Sequence, residues 1–325
     1  MIDYTPINMK IWSRLGSSGA YGIAAVEVVQ NNPNIVFLTA DVCSFSGLDR
    51  LSENYPKNFY NVGISEQNLI GIAAGLAKEG FIPFVSTYAA FDSLRAADQI
   101  KVNMGYMNLP VKIVGLTSGL SVGILGPTHF CNEDIALIRS LPNIIIISPA
   151  DCTETIKATI ASAKINAPVY LRLTGGINNP PVYKSDYDFE IGKAITIKDG
   201  NDIAIIATGS MVFNSLSAAK LLEEEGISVK VVNMHTIKPL DVDAVRECFN
   251  TKLIITVEEH SVYGGLGSAV SEVVAMSPNS PPQRILGLSD EYKAAGSYTY
   301  LIDQYELNLN QIKEKILKTY KEITK

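Results

Sequence analysis

Apolar and polar positions along this chain follow two rhythms. From about residue 10 to 173, the short β-rich runs NIVFLTAD, FYNVG, FIPFVS, LPVKIVGL, NIIIISP and PVYLRL alternate with longer Ala-rich segments of helical spacing. Strands separated by helices cannot pair as hairpins, so the alternation predicts a parallel sheet with helices on both faces. The stretch TGGINNPPVYKSDYD breaks the rhythm with Gly, Pro and Asn. The alternation then resumes with DIAIIATGS, ISVKVVNM and KLIITVEEH, joined by helical segments such as SLSAAKLLEEEG and DVDAVRECF. The expected fold is α/β, with two doubly wound domains over 1–175 and 189–325 and a linker over 176–188.

Composition adds limits to that picture. A length of 325 residues with 47% hydrophobic content supplies enough apolar surface for two cores. No apolar run reaches the roughly 18 residues of a membrane span, and MIDYTPINMK lacks the basic start and apolar stretch of a signal peptide, so a cytoplasmic protein away from membranes is expected. Cys43, Cys131, Cys152 and Cys248 show no CxxC spacing and read as small hydrophobes in a reducing compartment. A net charge of -6 without a concentrated basic stretch argues against nucleic acid and leaves small molecules and proteins as partners.

In sheets of this kind ligands gather at the carboxyl ends of the strands. Asp41 ends VFLTA, Glu66 follows FYNVG, and His129 lies in the loop after VKIVGL, so these three could meet at one sheet edge. Each also has a plain structural reading. Glu66 in the first turn of a helix gains about 0.3–1 kcal/mol from the dipole, His129 after Gly-Pro-Thr can serve a turn, and Asp41 can cap one. The tract YGGLGSA at 263–269 lacks the glycine register and acidic partner of a dinucleotide loop and reads as a close strand-to-helix turn. By periodicity, Tyr88, Phe91 and Leu94 in YAAFDSLRAADQIK form a core face. Spacing alone supports an α/β enzyme and goes no further.

The segments NVGISEQNLIGIAAGLAKEG, FVSTYAAFDSLRAADQIK, GILGPTHFCNEDIALIRSLPN, ISPAD, YLRLTGG, ATGSMV and TVEEHSVYGGLGSAVSE occur in an order that resembles the C-terminal half of transketolases. The match is also similar to the equivalent half of deoxyxylulose-phosphate synthase and, more distantly, to the β subunit of 2-oxo acid dehydrogenases. The resemblance implies a pyrimidine-binding domain followed by a transketolase C-terminal domain, with thiamin diphosphate as cofactor. In that family the preceding half holds the diphosphate and Mg²⁺. A glutamate hydrogen-bonded to the pyrimidine nitrogen favours the tautomer that takes the thiazolium proton, and Glu66 matches it. Ile64, Tyr88 and Phe91 match positions that pack around the pyrimidine, and Asp41 matches an acid near the coenzyme. His129 matches a histidine that moves protons on substrate oxygens. Arg14 and Arg172 match arginines that hold a sugar phosphate, with a structural ion pair as the alternative for each; Arg95 follows the synthase pattern, and His260 either reaches the site's rim or only caps its strand.

Departures from the family pattern bear on substrate and assembly. Thr117 stands where transketolases have a histidine, and Leu125 where they have an acid that contacts a sugar hydroxyl. The nearest look-alike to a Gly-Asp-Gly diphosphate turn, Lys198-Asp199-Gly200-Asn201, has no helix to follow it. The resemblance therefore implies a homodimer core flanked by a separate N-terminal, diphosphate-binding subunit that carries the Mg²⁺ ligands, acting on sugar phosphates or related substrates. The rival readings are a 2-oxo acid dehydrogenase β subunit, a deoxyxylulose-phosphate synthase-like enzyme, and a non-catalytic subunit that stabilises a complex. The GPTH loop and Arg172 favour transketolase, and intact Glu66 and His129 argue against lost activity.

Overall fold

The computed structural model describes residues 2–324. Its strands are β1 (Ile35–Thr39), β2 (Phe59–Asn61), β3 (Ile82–Tyr88), β4 (Lys112–Leu116), β5 (Ile145–Ile147), β6 (Val169–Arg172), β7 (Ile195–Lys198), β8 (Ile203–Ala207), β9 (Val229–Asn233), β10 (Thr236–Lys238), β11 (Leu253–Ser261) and β12 (Gln283–Leu288). The helices are α1 (Pro6–Asn31), α2 (Asp49–Asn54), α3 (Glu66–Lys78), α4 (Ala97–Ile100), α5 (Asp134–Arg139), α6 (Cys152–Lys164), α7 (Met211–Glu223), α8 (Val242–Glu247), α9 (Leu266–Ala275), α10 (Tyr298–Gln304) and α11 (Leu309–Ile323). None among the described residues is long and apolar enough to cross a membrane.

The strands form two sheets, ordered β10-β5-β6-β4-β3-β1-β2 and β12-β11-β8-β9-β7. Both faces of the first are buried: Val36, Leu38, Val85 and Ile113 pack on one side, Ile35, Phe37, Phe84 and Val114 on the other. That is why these strands read as unbroken apolar runs. The second sheet repeats the arrangement, with Ile203 and Ile205 opposed to Ala204 and Ile206. Each sheet is parallel except for one edge strand, β10 against β5 and β7 against β9.

Strand β10 is a departure from the sequence reading, which assigns all of 189–325 to the second domain. Thr236 pairs with Ile147, so the second half of the chain supplies the strand that covers the open edge of the first sheet. Between β6 and β7 the chain has no regular element, yet it is pinned. Glu154 of α6 accepts hydrogen bonds from Tyr187 Oη (3.1 Å) and Asn233 Nδ2 (2.9 Å), and Asp151 accepts from the Val182 amide (2.7 Å). Burial, then the neighbouring Glu154, pushes the Asp151 carboxyl up to about 6.

The loop after β1 lies directly on α1, where Gly22 faces the Gly47 carbonyl oxygen with no room for a Cβ. Gly47, at φ +73, has equally little clearance from Ser18. This approach carries Phe45 onto Tyr88, with ring centroids 4.9 Å apart. Gly22→Ala is expected to cost ~2–3 kcal/mol, because backbone rather than a rotatable side chain must move. Urea unfolding checks the magnitude, and an unchanged midpoint would refute the contact.

Candidate active site

The carboxyl ends of β1, β2, β3 and β4 converge on one edge of the first sheet. Asn61, at the end of β2, donates from Nδ2 to Asp41 Oδ1, while its Oδ1 accepts from the backbone amides of Asp41 and Gly63, each at 3.0 Å. The side chain thereby holds Asp41 and Gly63 at φ 62 and 75, and the turn between β2 and α3 presents Ile64, 77% exposed. Glu66 follows at the first position of α3 and is only 4% exposed. Its Oε1 accepts from Arg95 Nη1 at 2.8 Å, and no described residue donates to Oε2.

Arg95 is brought there by a π-helical turn over Ala90–Arg95, and its guanidinium carbon stands 4.2 Å from the Phe91 ring centroid. Phe91 in turn meets Tyr88 edge-on at 5.8 Å, and both rings meet the His129 imidazole, at 5.3 and 5.6 Å. Phe45 completes an aromatic wall with one buried carboxylate at its margin. A flat heteroaromatic ring with a polar nitrogen suits this wall: its faces would lie on the aromatics and its nitrogen would meet Oε2. The residues present therefore fit the pyrimidine end of thiamin diphosphate.

His129 belongs to a loop over 117–133 that is braced from the second domain. Thr117 enters the loop at φ 53, a strained setting for a β-branched residue. Leu120 donates its amide to Glu259 Oε1 (2.7 Å), the Gly296 amide donates to the Gly123 carbonyl (3.1 Å), and the Ser261 amide to the Asn132 carbonyl (2.8 Å). The His129 Nδ1 lies 3.0 Å from Thr128 Oγ1. Ile124 and Leu125 are exposed on the same loop. Arg14 is exposed two residues before the kink of α1 at Gly16, which packs beside Ile177, and it has no ion-pair partner among the described residues.

Two residues that the sequence offers to substrate are engaged within the protein. Arg172 is 1% exposed, and its Nε donates to both oxygens of Asp134 (3.0 and 2.8 Å) while Nη2 donates to the carbonyls of Cys131 (3.2 Å) and Glu259 (3.0 Å). Nε and Nη2 are thereby used within the protein, and only Nη1 keeps donors without a partner among the described residues. Asp134 also accepts from Tyr170 Oη (2.7 Å); burial pushes its carboxyl up, but the Arg172 charge, the neighbouring His260 and the hydrogen bonds from Arg172 and Tyr170 together hold it below the usual range. His260 is fully buried, with Nδ1 2.8 Å from the Ser261 carbonyl and Nε2 3.3 Å from the Ala136 amide. Those partners require a neutral ring, protonated on Nδ1, and burial lowers its pKa to about 4. The YGGLGSA turn is likewise occupied from within: Glu258 accepts the Leu266 and Gly267 amides, each at 2.7 Å, and so fills the N-terminus of α9. Sequence reasoning did not single out Phe45, Asn61, Asp134 or Glu259. Phe45 stands in TADVCSF beside Asp41 and was within reach of the motif; the other three pair across the fold without a local signature.

Known proteins share this arrangement. The profile described as Transketolase, pyrimidine binding domain, matches residues 15–177, and Transketolase, C-terminal domain, matches residues 192–312. The chain is 39% identical over 302 residues to an apulose-4-phosphate transketolase subunit of Phocaeicola vulgatus, covering 92% of this chain and 95% of that one. The chain belongs to the transketolase family. It is 37% identical over 291 residues to the 6-deoxy-6-sulfo-D-fructose transketolase subunit of a Clostridium species, with 88% and 89% covered. A solved structure described as a split gene transketolase, inactive beta4 tetramer, superposes with a TM-score of 0.84 at 38% identity, covering 94% of this chain and 98% of that one. The family is thiamin diphosphate-dependent, and this transketolase-type subunit shares its two-domain α/β architecture.

The two arginines of this transketolase subunit should respond differently to removal. Arg172→Ala leaves a buried Asp134 charge unpaired and is expected to cost ~3–5 kcal/mol in urea unfolding. Arg14→Ala should leave the unfolding midpoint in place and raise KM for a phosphorylated substrate. A raised KM with unchanged stability in Arg172→Ala would restore its substrate role.

Proposed function

We propose that this chain is the C-terminal subunit of a two-chain transketolase, moving a two-carbon ketol unit between sugar phosphates or related ketoses and aldehydes in the cytoplasm. The observation that carries the reading is Glu66, buried beside an aromatic wall with one carboxylate oxygen free. Bound there, thiamin diphosphate supplies the thiazolium carbon at which the donor's carbon–carbon bond is cleaved and remade. Glu66 holds a proton against the pyrimidine nitrogen, and Arg95 orients the carboxylate through Oε1. Tyr88, Phe91 and Ile64 exclude water from the pyrimidine faces, and Asp41 fixes the turn that carries Ile64. His129 moves protons at the substrate oxygens. Arg14 and the outward side of Arg95 are the groups for a substrate phosphate.

Assembly follows from the same reading. Mg²⁺ and the diphosphate need oxygen ligands that the proposal puts on a separate N-terminal subunit, with two copies of this chain as the core. Names of similar chains support it: two are called subunits, and the solved homologue is called split, and inactive as a β tetramer. Exposed Ile64, Ile72, Leu94, Val102 and Tyr106 lie on or next to the elements that carry Glu66 and Arg95, and suit burial between chains. Leu125 in place of an acid leaves one sugar hydroxyl without its usual partner, which favours a less common ketose or aldehyde as substrate.

In the complex with partner and coenzyme, Glu66→Ala should retain assembly and slow exchange of the coenzyme's carbon-2 proton by about 10²–10⁴-fold, read by NMR after acid quench. Wild-type exchange in that variant would remove Glu66 from the mechanism. Titration calorimetry tests the assembly: this chain alone should bind thiamin diphosphate weakly and without Mg²⁺ dependence. Tight, Mg²⁺-dependent binding and full turnover by the chain alone would overturn the two-subunit reading.

A further inference from the structure

Asp92 is a buried acid with no part in the mechanism proposed for the site. It is 1% exposed, and no side chain donates to either carboxyl oxygen; the adjacent Ser93 amide is the one hydrogen-bonding group that favours its charged form. The π-helical turn explains its position: one wide turn directs Phe91 and Arg95 to the site and folds Asp92 and Ser93 inward behind them. The charged and titratable groups that face it are Asp134 of α5, Glu66 of α3, Tyr170 of β6 and the Cys131 thiol. Strands β3 and β4 and helix α4 also pack on the turn, but bring no cation to it. Tyr88 belongs to the aromatic wall, Asp98 is exposed, and Lys112 Nζ is bound to the carbonyls of Ile165 and Ala167. The two nearby guanidinium groups are committed, Arg95 to Glu66 and Arg172 to Asp134, each at 2.8 Å.

A carboxylate in that position would be buried, faced by no free cation, and repelled by two other acids. We propose that Asp92 stays protonated in the folded chain, so that no unpaired charge lies behind Glu66. Burial first, then Asp134, holds its carboxyl well above the ordinary carboxylate range. With Asp92 neutral, Glu66 is free to give and take a proton at the pyrimidine. Ionised Asp92 would place an unpaired negative charge behind the coenzyme site and slow the proton exchange that occurs there. The catalytic part of this inference rests on the transketolase reading; the protonation of Asp92 does not.

Two measurements decide it. In the isolated chain at pH 7, an infrared difference spectrum of wild type minus Asp92→Asn should contain the carbonyl band of a protonated carboxyl; its absence overturns the proposal. This arm needs neither coenzyme nor partner, so its failure is distinct from failure of the transketolase reading. In the loaded complex, Asp92→Asn and the near-isosteric Asp92→Leu should keep carbon-2 proton exchange within about threefold of wild type at pH 7. Wild-type exchange should fall as pH rises through the Asp92 titration, and both neutral variants should lack that fall. An alkaline limb unchanged in a folded variant, or about a hundredfold loss at pH 7 in both, overturns the proposal. Stability supplies the sign check. The folded acid keeps a proton that the unfolded chain releases above about pH 4, so wild type should lose stability relative to Asp92→Leu as pH rises from there towards the folded pKa; a parallel pH dependence of the two would also overturn it.

Discussion

The ion pair between Arg172 and Asp134, sealed where the two domains meet, is the contact on which the site's geometry depends. A buried pair is stable only when its remaining donors and acceptors are met, and here Tyr170 and the carbonyls of Cys131 and Glu259 meet them. Those partners come from β6, α5, β11 and the end of the His129 loop. One guanidinium therefore fixes the loop from below while Glu259 and Ser261 fix it from the second domain. The second domain contributes no side chain to the aromatic wall. Its part is to hold the loop that places His129 against Tyr88 and Phe91, and to close the first sheet with β10.

Within that frame the site separates charge from aromatic surface. Tyr88, Phe91, Phe45 and His129 form tilted and edge-to-face pairs, a geometry in which each ring pair contributes ~0.5–1.5 kcal/mol beyond area burial. Glu66 sits at the margin with a single cation, and Arg95 reaches it by crossing the Phe91 face. Asp92 lies on the far side of the same turn, without a side-chain donor or cation. Both placements fall within one π-helical turn, Phe91 and Arg95 four residues apart on the side of the site and Asp92 on the inner side. Strain at Thr117 and the glycine contact between α1 and the Phe45 loop are further local costs, offset by the packing around them.

The central strands were legible in the sequence because both faces of each sheet are buried, so strand runs are apolar and helices stand apart between them. Strand β10 was not, since it is only three residues long and pairs with β5, far from it along the chain. The positions of Asp41, Glu66 and His129 were legible as well, since loops at the carboxyl ends of parallel strands converge by topology. Family motifs supplied Tyr88, Phe91 and Ile64, the first two of which periodicity would have left in a core. What local pattern could not give was the fate of an arginine or a histidine at a strand end. Arg172 and His260 carry the same residue types that bind phosphate and shuttle protons, yet Arg172 faces Asp134, 38 residues away in sequence, and His260 packs against a residue 124 away.

The sequence by itself thus determined the two-domain α/β order and the edge at which the site forms, because both depend on the near-neighbour hydrophobic period. Only the tertiary structure decided which polar side chains look outward. That choice depends on pairing in a low-dielectric interior, where Asp134 engages Arg172, Glu258 fills the N-terminus of α9, and Asp92 is left without a cation. Such pairings join residues far apart along the chain, and no local spacing encodes them.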